Sequence, residues 1–161
     1  MWETGALHVL LPALAIHLDD DSREARQLWG RLSAIDTLHR ADALPPDPVL
    51  FAALLLGPIE DAMRDAKNPT EEYEALMTEV LDTLAVPKRM KERIRNVVLT
   101  QRRLDAGRIR GLQRREYFQD AATLFAIRCD GRGQRRPEWL DAVASAEESP
   151  RPRRRRRRQR R

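Results

Sequence analysis

PKRMKERIRNVVLTQRRL, residues 87–104, is the stretch whose spacing decides the fold class. Met90, Ile94, Val97, Val98 and Leu104 recur at i, i+4, i+7, i+8 and i+14. That is the period of an α-helix with one buried face, and Pro87 sits where the first turn needs no amide donor. At about 100° per residue, Lys88, Lys91, Arg95 and Arg102 fall within roughly a 60° arc of the same helix. One rod is therefore expected to carry an apolar face and a cationic stripe.

The same period extends in both directions. Downstream, a short basic connection from Ala106 to Arg115, broken by Gly107 and Gly111, leads to a helix from about Glu116 that buries Phe118, Ala122, Phe125 and Cys129. Gly131 and Gly133 mark its end, and a last helix opens at Pro137 with Trp139, Leu140 and Val143. Upstream, Thr70 reads as the N-cap of a helix with acidic first-turn residues Glu71 and Glu72 and with Leu76, Val80, Leu81 and Leu84 turned inward. Before it, Asp47 can cap and Pro48 can open a helix from Val49 to about Ala66. This segment is apolar all round from Leu50 to Leu56, as a central core helix should be, with a kink at Gly57-Pro58. Asp21 and Ser22 offer N-cap oxygens to a helix ending near Asp42, whose buried stripe would be Ala25, Leu28, Trp29, Leu32, Ile35 and Leu38.

No period-2 strand is found. Leu, Ala, Arg and Glu abound over β-branched residues, and 161 residues with 42% apolar content suffice for one core. The expectation is an all-α, irregular bundle of about six to seven helices with a disordered C-terminal tail. Three regions follow: acidic helices over 1–86, basic helices over 87–146, and an arginine-rich tail over 147–161. The apolar stretch Val9 to Ile16 is interrupted by Pro12 and follows Glu3 without a basic leader, which argues against a signal peptide and a membrane partner. A lone cysteine, Cys129, pairs with nothing internally and points to the cytoplasm.

Charge is distributed unevenly along the chain. Residues 1–86 hold 6 Lys+Arg against 16 Asp+Glu, whereas residues 87–161 hold 24 against 9. A contiguous Lys/Arg surface gains affinity by releasing counterions from phosphates, so nucleic acid is the expected partner. Cations recur over 88–103, 108–115 and 128–136, acidic residues at i+4 are few, and Tyr117 and Phe118 adjoin Arg114-Arg115. Core packing is the expected role of both aromatic residues, of Phe118 above all. The expected phosphate contacts are Lys88, Arg89, Lys91, Arg93, Arg95, Arg102, Arg103, Arg108, Arg110, Arg114 and Arg115.

Catalytic signatures are missing: there is no glycine-rich phosphate loop, nucleophile elbow, H-E-x-x-H or Cys cluster. Asp19 and Asp21 have the D-x-D spacing of two-metal sites, but no strand flanks them to align their carboxylates, so they read as cap and loop. His8, His17 and Asp20 would be the ligands of a metal-dependent phosphohydrolase, yet the consecutive His-Asp pair used by helical enzymes of that kind is absent. His39 beside Arg40 at a helix end fits dipole compensation.

Three blocks in order, Val49-Leu50-Phe51-Ala52-Ala53-Leu54-Leu55, Leu84-Ala85-Val86-Pro87-Lys88-Arg89, and Arg114-Arg115-Glu116-Tyr117-Phe118-Gln119-Asp120-Ala121-Ala122, resemble the C-terminal part of bacterial poly(A) polymerases. The resemblance spans about residues 45–145. It implies the helical body and arginine-rich RNA-binding region of a polynucleotide adenylyltransferase involved in RNA 3′ polyadenylation and RNA processing. That family's catalytic head, with its G-G-x-V-R-D-type block and metal-binding carboxylates, has no counterpart here. ATP and Mg²⁺ would belong to that head, and no activity or cofactor is expected of this chain alone. Implied partners are RNA, a separate nucleotidyltransferase head and RNA-decay proteins. The alternative is a helical protein-protein interaction module whose acidic half binds a basic protein and whose tail aids docking.

Overall fold

The computed structural model describes residues 5–18 and 22–148, and these are all-helical. Among them are α1 (Ala6–Leu10), α2 (Pro12–Leu18), α3 (Arg23–Arg40), α4 (Asp47–Arg64), α5 (Pro69–Thr83), α6 (Lys88–Asp105), α7 (Phe118–Gly131) and α8 (Glu138–Glu148), with a 3-10 turn at Leu112–Arg114. Pro12 divides the first apolar segment into two short helices, which raises the count above the expected number. The tail from 149 onward, and Asp19, Asp20 and Asp21, lie outside the described residues.

Local chemistry accounts for most boundaries. The Ser22 hydroxyl accepts from the Ala25 amide at 3.0 Å and caps α3. Two expected caps move. Pro46 occupies the N-cap of α4, which makes Asp47 its first residue, where a carboxylate favours the positive end of the helix dipole. Asn68 holds the N-cap of α5 and Pro69 opens it, which leaves Thr70 inside the first turn. Helix α4 runs without interruption through Gly57-Pro58 to Arg64, with Pro58 buried.

α4 is the central helix. Val49, Ala52, Leu56 and Ile59 pack on Tyr73, Met77 and Leu81 of α5, on Ile94, Val97 and Val98 of α6, and on Leu124 and Ile127 of α7, in one cluster. The change in charge at residue 86 is thus no packing boundary, because both halves share this core. A second cluster joins Leu104, Leu112, Phe118, Phe125, Cys129 and Leu140, and Trp139 tilts against Phe125 at 5.4 Å between ring centroids. Burial holds the Cys129 thiol above its ordinary pKa.

Trp29 departs from expectation. It is 60% exposed, and Arg31 is the residue turned inward, 1% exposed, with Nε donating to the Ala53 carbonyl at 2.9 Å. The cause lies next door at Gly30, against which the backbone of α7 closes at Gly131. That crossing fixes the rotation of α3 about its axis, and the arginine stem is buried as apolar surface. Desolvation lowers the Arg31 pKa to about 10, while Glu60 opposes the shift.

Several cations of the second half also turn inward. Arg128, 2% exposed, pairs with Glu60 at 3.2 Å and with Asp105, and its guanidinium lies 4.7 Å from the centroid of Phe125. Arg132 pairs with the same Glu60, and Arg136 grips Asp130 through two bonds of 2.9 and 2.5 Å. In the basic segment 128–136, Arg128 and Arg132 are therefore structural and tie α7 and its end to α4 and α6, contrary to expectation, whereas Arg136 holds Asp130 at the surface and Arg135 is exposed. Glu60→Gln is expected to destabilise the fold by about 2 kcal/mol. That is less than the ~3–5 kcal/mol of breaking a fully buried pair, because Glu60 is partly exposed and Asp105 still holds Arg128. Urea unfolding measures it, and an unchanged midpoint would refute the role given to Glu60.

Candidate nucleic-acid interface

Helix α6 carries cations on two flanks of its buried face. At about 100° per residue, Lys91, Arg102, Arg95 and Lys88 occupy one flank, and Arg103, Arg89 and Arg93 the other. The first flank faces α5. There Lys91 pairs with Asp82 and Arg95 with Glu74, so the acidic partners that the spacing along α6 does not supply come from the neighbouring helix. On the second flank, Arg93 donates to Asp120 and to the Glu116 carbonyl, each at 2.6 Å.

These contacts divide the eleven expected phosphate contacts. Lys91, Arg93 and Arg95 are half-buried and spent on carboxylates of this chain, which corrects the expectation that they stand open to RNA. Lys88, Arg89, Arg102, Arg103, Arg108, Arg110, Arg114 and Arg115 are exposed, and none has a carboxylate partner among the described residues. Lys91→Ala and Arg95→Ala, which break half-exposed pairs, should each cost less than about 1 kcal/mol. They should leave nucleic-acid affinity within about twofold, as a filter or fluorescence titration would check.

The connection between α6 and α7 arranges the remaining cations. It begins beyond Asp105, where the Arg108 amide donates to the Arg103 carbonyl at 2.8 Å, and it ends where the Glu116 carbonyl accepts from Arg93. The segment thus returns along α6 by some ten residues of helix, about 15 Å. Gly107 at φ +66 and Gly111 at φ +81 supply the left-handed turns that this reversal needs. Leu112, 1% exposed, pins the segment to the second core cluster. Arg108, Arg110, Arg114 and Arg115 are thereby held on an anchored strip beside the flank bearing Arg103 and Arg89.

At the end of that strip a groove of about 940 Å³ opens where the first turns of α4 and α6 meet the start of α7. Pro46, Pro48, Pro87, Met90 and Tyr117 form its apolar part, and Asp47, Arg89, Glu92, Arg93, Asn96 and Glu116 are polar groups on it. Phe118 is buried in the second cluster, as expected. Tyr117 divides its surface between the first core cluster and the groove. The groove draws on three segments distant in sequence, and only Tyr117 beside Arg114-Arg115 hinted at it.

Among the described residues, nothing in this surface pairs a nucleophile with a base, and what it presents to solvent is mainly guanidinium and ammonium charge. Among the described residues, no group of three or more His, Cys, Asp and Glu could hold a metal ion. Of the residues weighed for metal binding, the His17 side chain and Asp19, Asp20 and Asp21 lie outside the description. Exposed His39 sits in the last turn of α3, as dipole compensation requires. No helix among the described residues is long and apolar enough to cross a membrane. No protein-family model, curated protein or solved structure matches the chain.

Proposed function

We propose that this protein binds single-stranded RNA, mainly through phosphates, along the exposed arginines of α6 and the 106–117 connection. In this reading it serves as the RNA-holding part of a polynucleotide adenylyltransferase system acting in RNA 3′ processing, with the catalytic head, its ATP and its Mg²⁺ supplied by another polypeptide region. The chain itself adds no nucleotides. The observation that carries the reading is the sorting of the cations: Lys91, Arg93 and Arg95 pair with carboxylates of this chain, whereas eight exposed cations on one helix and its anchored connection have no carboxylate partner among the described residues. Such uncompensated charge repels itself in the folded state and is relieved by a polyanion.

Binding of labelled single-stranded RNA across a salt series tests it, comparing the whole chain with one ending at Ser149. Neutralising about five phosphates predicts a slope of log affinity against log salt near −3.5 with little base preference, and most of that slope should survive removal of the tail. A flat response refutes the reading.

One observation favours a helical interaction module as second reading: Trp29 is 60% exposed on α3, and Val9 and Ile16 on the first two helices are 78% and 71% exposed. If that module is the function, Trp29→Ala abolishes capture of a basic protein partner, and neutralising Arg108, Arg110, Arg114 and Arg115 leaves the capture intact.

A further inference from the structure

We infer that the crevice where α4, α6 and α7 meet binds inorganic phosphate as the hydrogen phosphate ion. The inference is independent of the RNA reading, because the phosphodiesters of an RNA backbone carry no P–O–H group and the crevice calls for one.

The crevice has a volume of about 100 Å³. Leu56, Ile59, Met63 and Val98 give it apolar walls, and two buried polar residues, Gln101 and Arg128, 3% and 2% exposed, form its inner end. Each of the two keeps one buried atom without a hydrogen-bond partner among the described residues. Gln101 Nε2 donates to the Val97 and Ala121 carbonyls, both at 3.0 Å, which fixes the orientation of the amide and leaves Oε1 as an orphan acceptor. Arg128 spends its terminal nitrogens on Glu60 and Asp105, which leaves Nε–H as an orphan donor. A buried donor and a buried acceptor, both unmet on one small crevice, are costly unless a ligand satisfies the two together.

The charge around the crevice selects an anion. Arg102, exposed and without a carboxylate partner among the described residues, stands on the rim with Arg64, which pairs with Asp61. The two carboxylates that line the crevice are already covered. Asp105 is held by Arg128, and Glu60 is shared by Arg128 and Arg132, with Arg31 near enough to act on its charge. The setting is therefore net positive.

Hydrogen phosphate meets both orphans at once. An unprotonated oxygen accepts from Arg128 Nε–H, and the single P–O–H donates to Gln101 Oε1. Sulfate has no proton to give near neutral pH and would set a bare oxygen against the Gln101 carbonyl oxygen. A phosphate monoester above its second pKa of about 6 lacks the proton as well. Size acts in the same direction, since the crevice is well below the ~300 Å³ at which pockets for drug-sized ligands begin and a whole nucleotide does not fit.

Calorimetric titration of the full chain at pH 8 and constant ionic strength, with inorganic phosphate, sulfate and methyl phosphate as probes, tests the assignment. Phosphate should bind at one site, at least about tenfold tighter than either of the others. Gln101→Met keeps the length of the side chain and removes the acceptor, and it should bring phosphate to within about threefold of sulfate. Arg102→Gln, at an exposed position that leaves the core untouched, should weaken phosphate by about fivefold or more, and it decides the matter if Gln101→Met does not fold. Equal binding of phosphate and sulfate by the unaltered chain would be general attraction to the arginine strip and overturns the site. So does discrimination that persists in a folded Gln101→Met variant, or phosphate affinity unchanged by Arg102→Gln. Absence of phosphate binding overturns it outright and leaves the two orphans to water. None of these results bears on RNA binding, which is read separately from the salt series.

Discussion

Replacing Arg108, Arg110, Arg114 and Arg115 together by Gln is expected to lower affinity for single-stranded RNA on the order of 10²–10³-fold at about 0.1 M salt, and to make the salt slope shallower by about 2.8. Each phosphate neutralised on a single strand contributes about 0.7 to that slope, so four lost contacts account for both figures. The fold should survive, since all four side chains are exposed while Leu112, which anchors the segment, is untouched. Far-ultraviolet dichroism and the melting temperature verify that, and a salt-series titration reads the affinity. The comparison that gives the result its meaning is the pair Lys91→Gln, Arg95→Gln. An equal number of charges removed there as in any two positions of the strip should change RNA binding little, because Asp82 and Glu74 already neutralise those cations. An equal loss per charge removed from the two sets of substitutions would mean that net charge alone, and not the strip, determines binding.

Gly30→Ala is expected to destabilise the protein by about 2–3 kcal/mol, or about 5–10 °C in melting temperature for a chain of this size. A Cβ at Gly30 would lie 2.5 Å from the Gly131 carbonyl oxygen and 2.8 Å from its Cα. One at Gly131 would lie 2.7 Å from Arg31 Cγ and 2.8 Å from the Arg31 amide nitrogen. Backbone atoms cannot swing aside as a side-chain end can, so α3 and α7 must separate. Separation also loosens the Arg31 bond to Ala53 and the Arg132 contact with Gln27. The gain of about 1 kcal/mol in helix propensity from Gly to Ala only partly offsets this. Because the first substitution opens the space the second needs, the double variant Gly30→Ala, Gly131→Ala should cost less than the sum of the two singles. Additivity in urea unfolding, or a gain in stability from Gly30→Ala alone, would refute the close crossing.

How far the residues foretold these features depends on whether a neighbour in sequence or a neighbour in space decides them. The buried stripe of α6 from Ile94 to Leu104 was legible because a helix repeats its faces regardless of what it packs on. So were the capping Ser22, the buried Phe118 and Phe125, and the end of α7 at Gly131. Trp29, expected in the buried stripe, stands exposed while Arg31 is buried, and the reason is definite. Hydrophobicity ranks Trp above Arg for burial, but a glycine between them let another helix come within backbone contact, and the face was set by that crossing. Lys91 and Arg95 looked unpaired because only i+4 neighbours on α6 were in view, whereas their carboxylates stand on α5. The cations of 128–136 looked continuous with the strip because order along the chain does not say which side of α7 meets Glu60 and Asp105.

By itself, then, the sequence determined an all-helical chain, the approximate places of its main helices, the central place of α4 and the confinement of excess positive charge to the second half. Those properties are local, or sums over residues, and periodicity or counting suffices for them. Only the tertiary structure decided which arginines are consumed by internal pairing, how α3 is rotated, and that Pro46, Arg89 and Tyr117 meet at one groove. Ion pairs, close backbone approach and grooves each join segments far apart in the chain, and a one-dimensional pattern carries no distance between them.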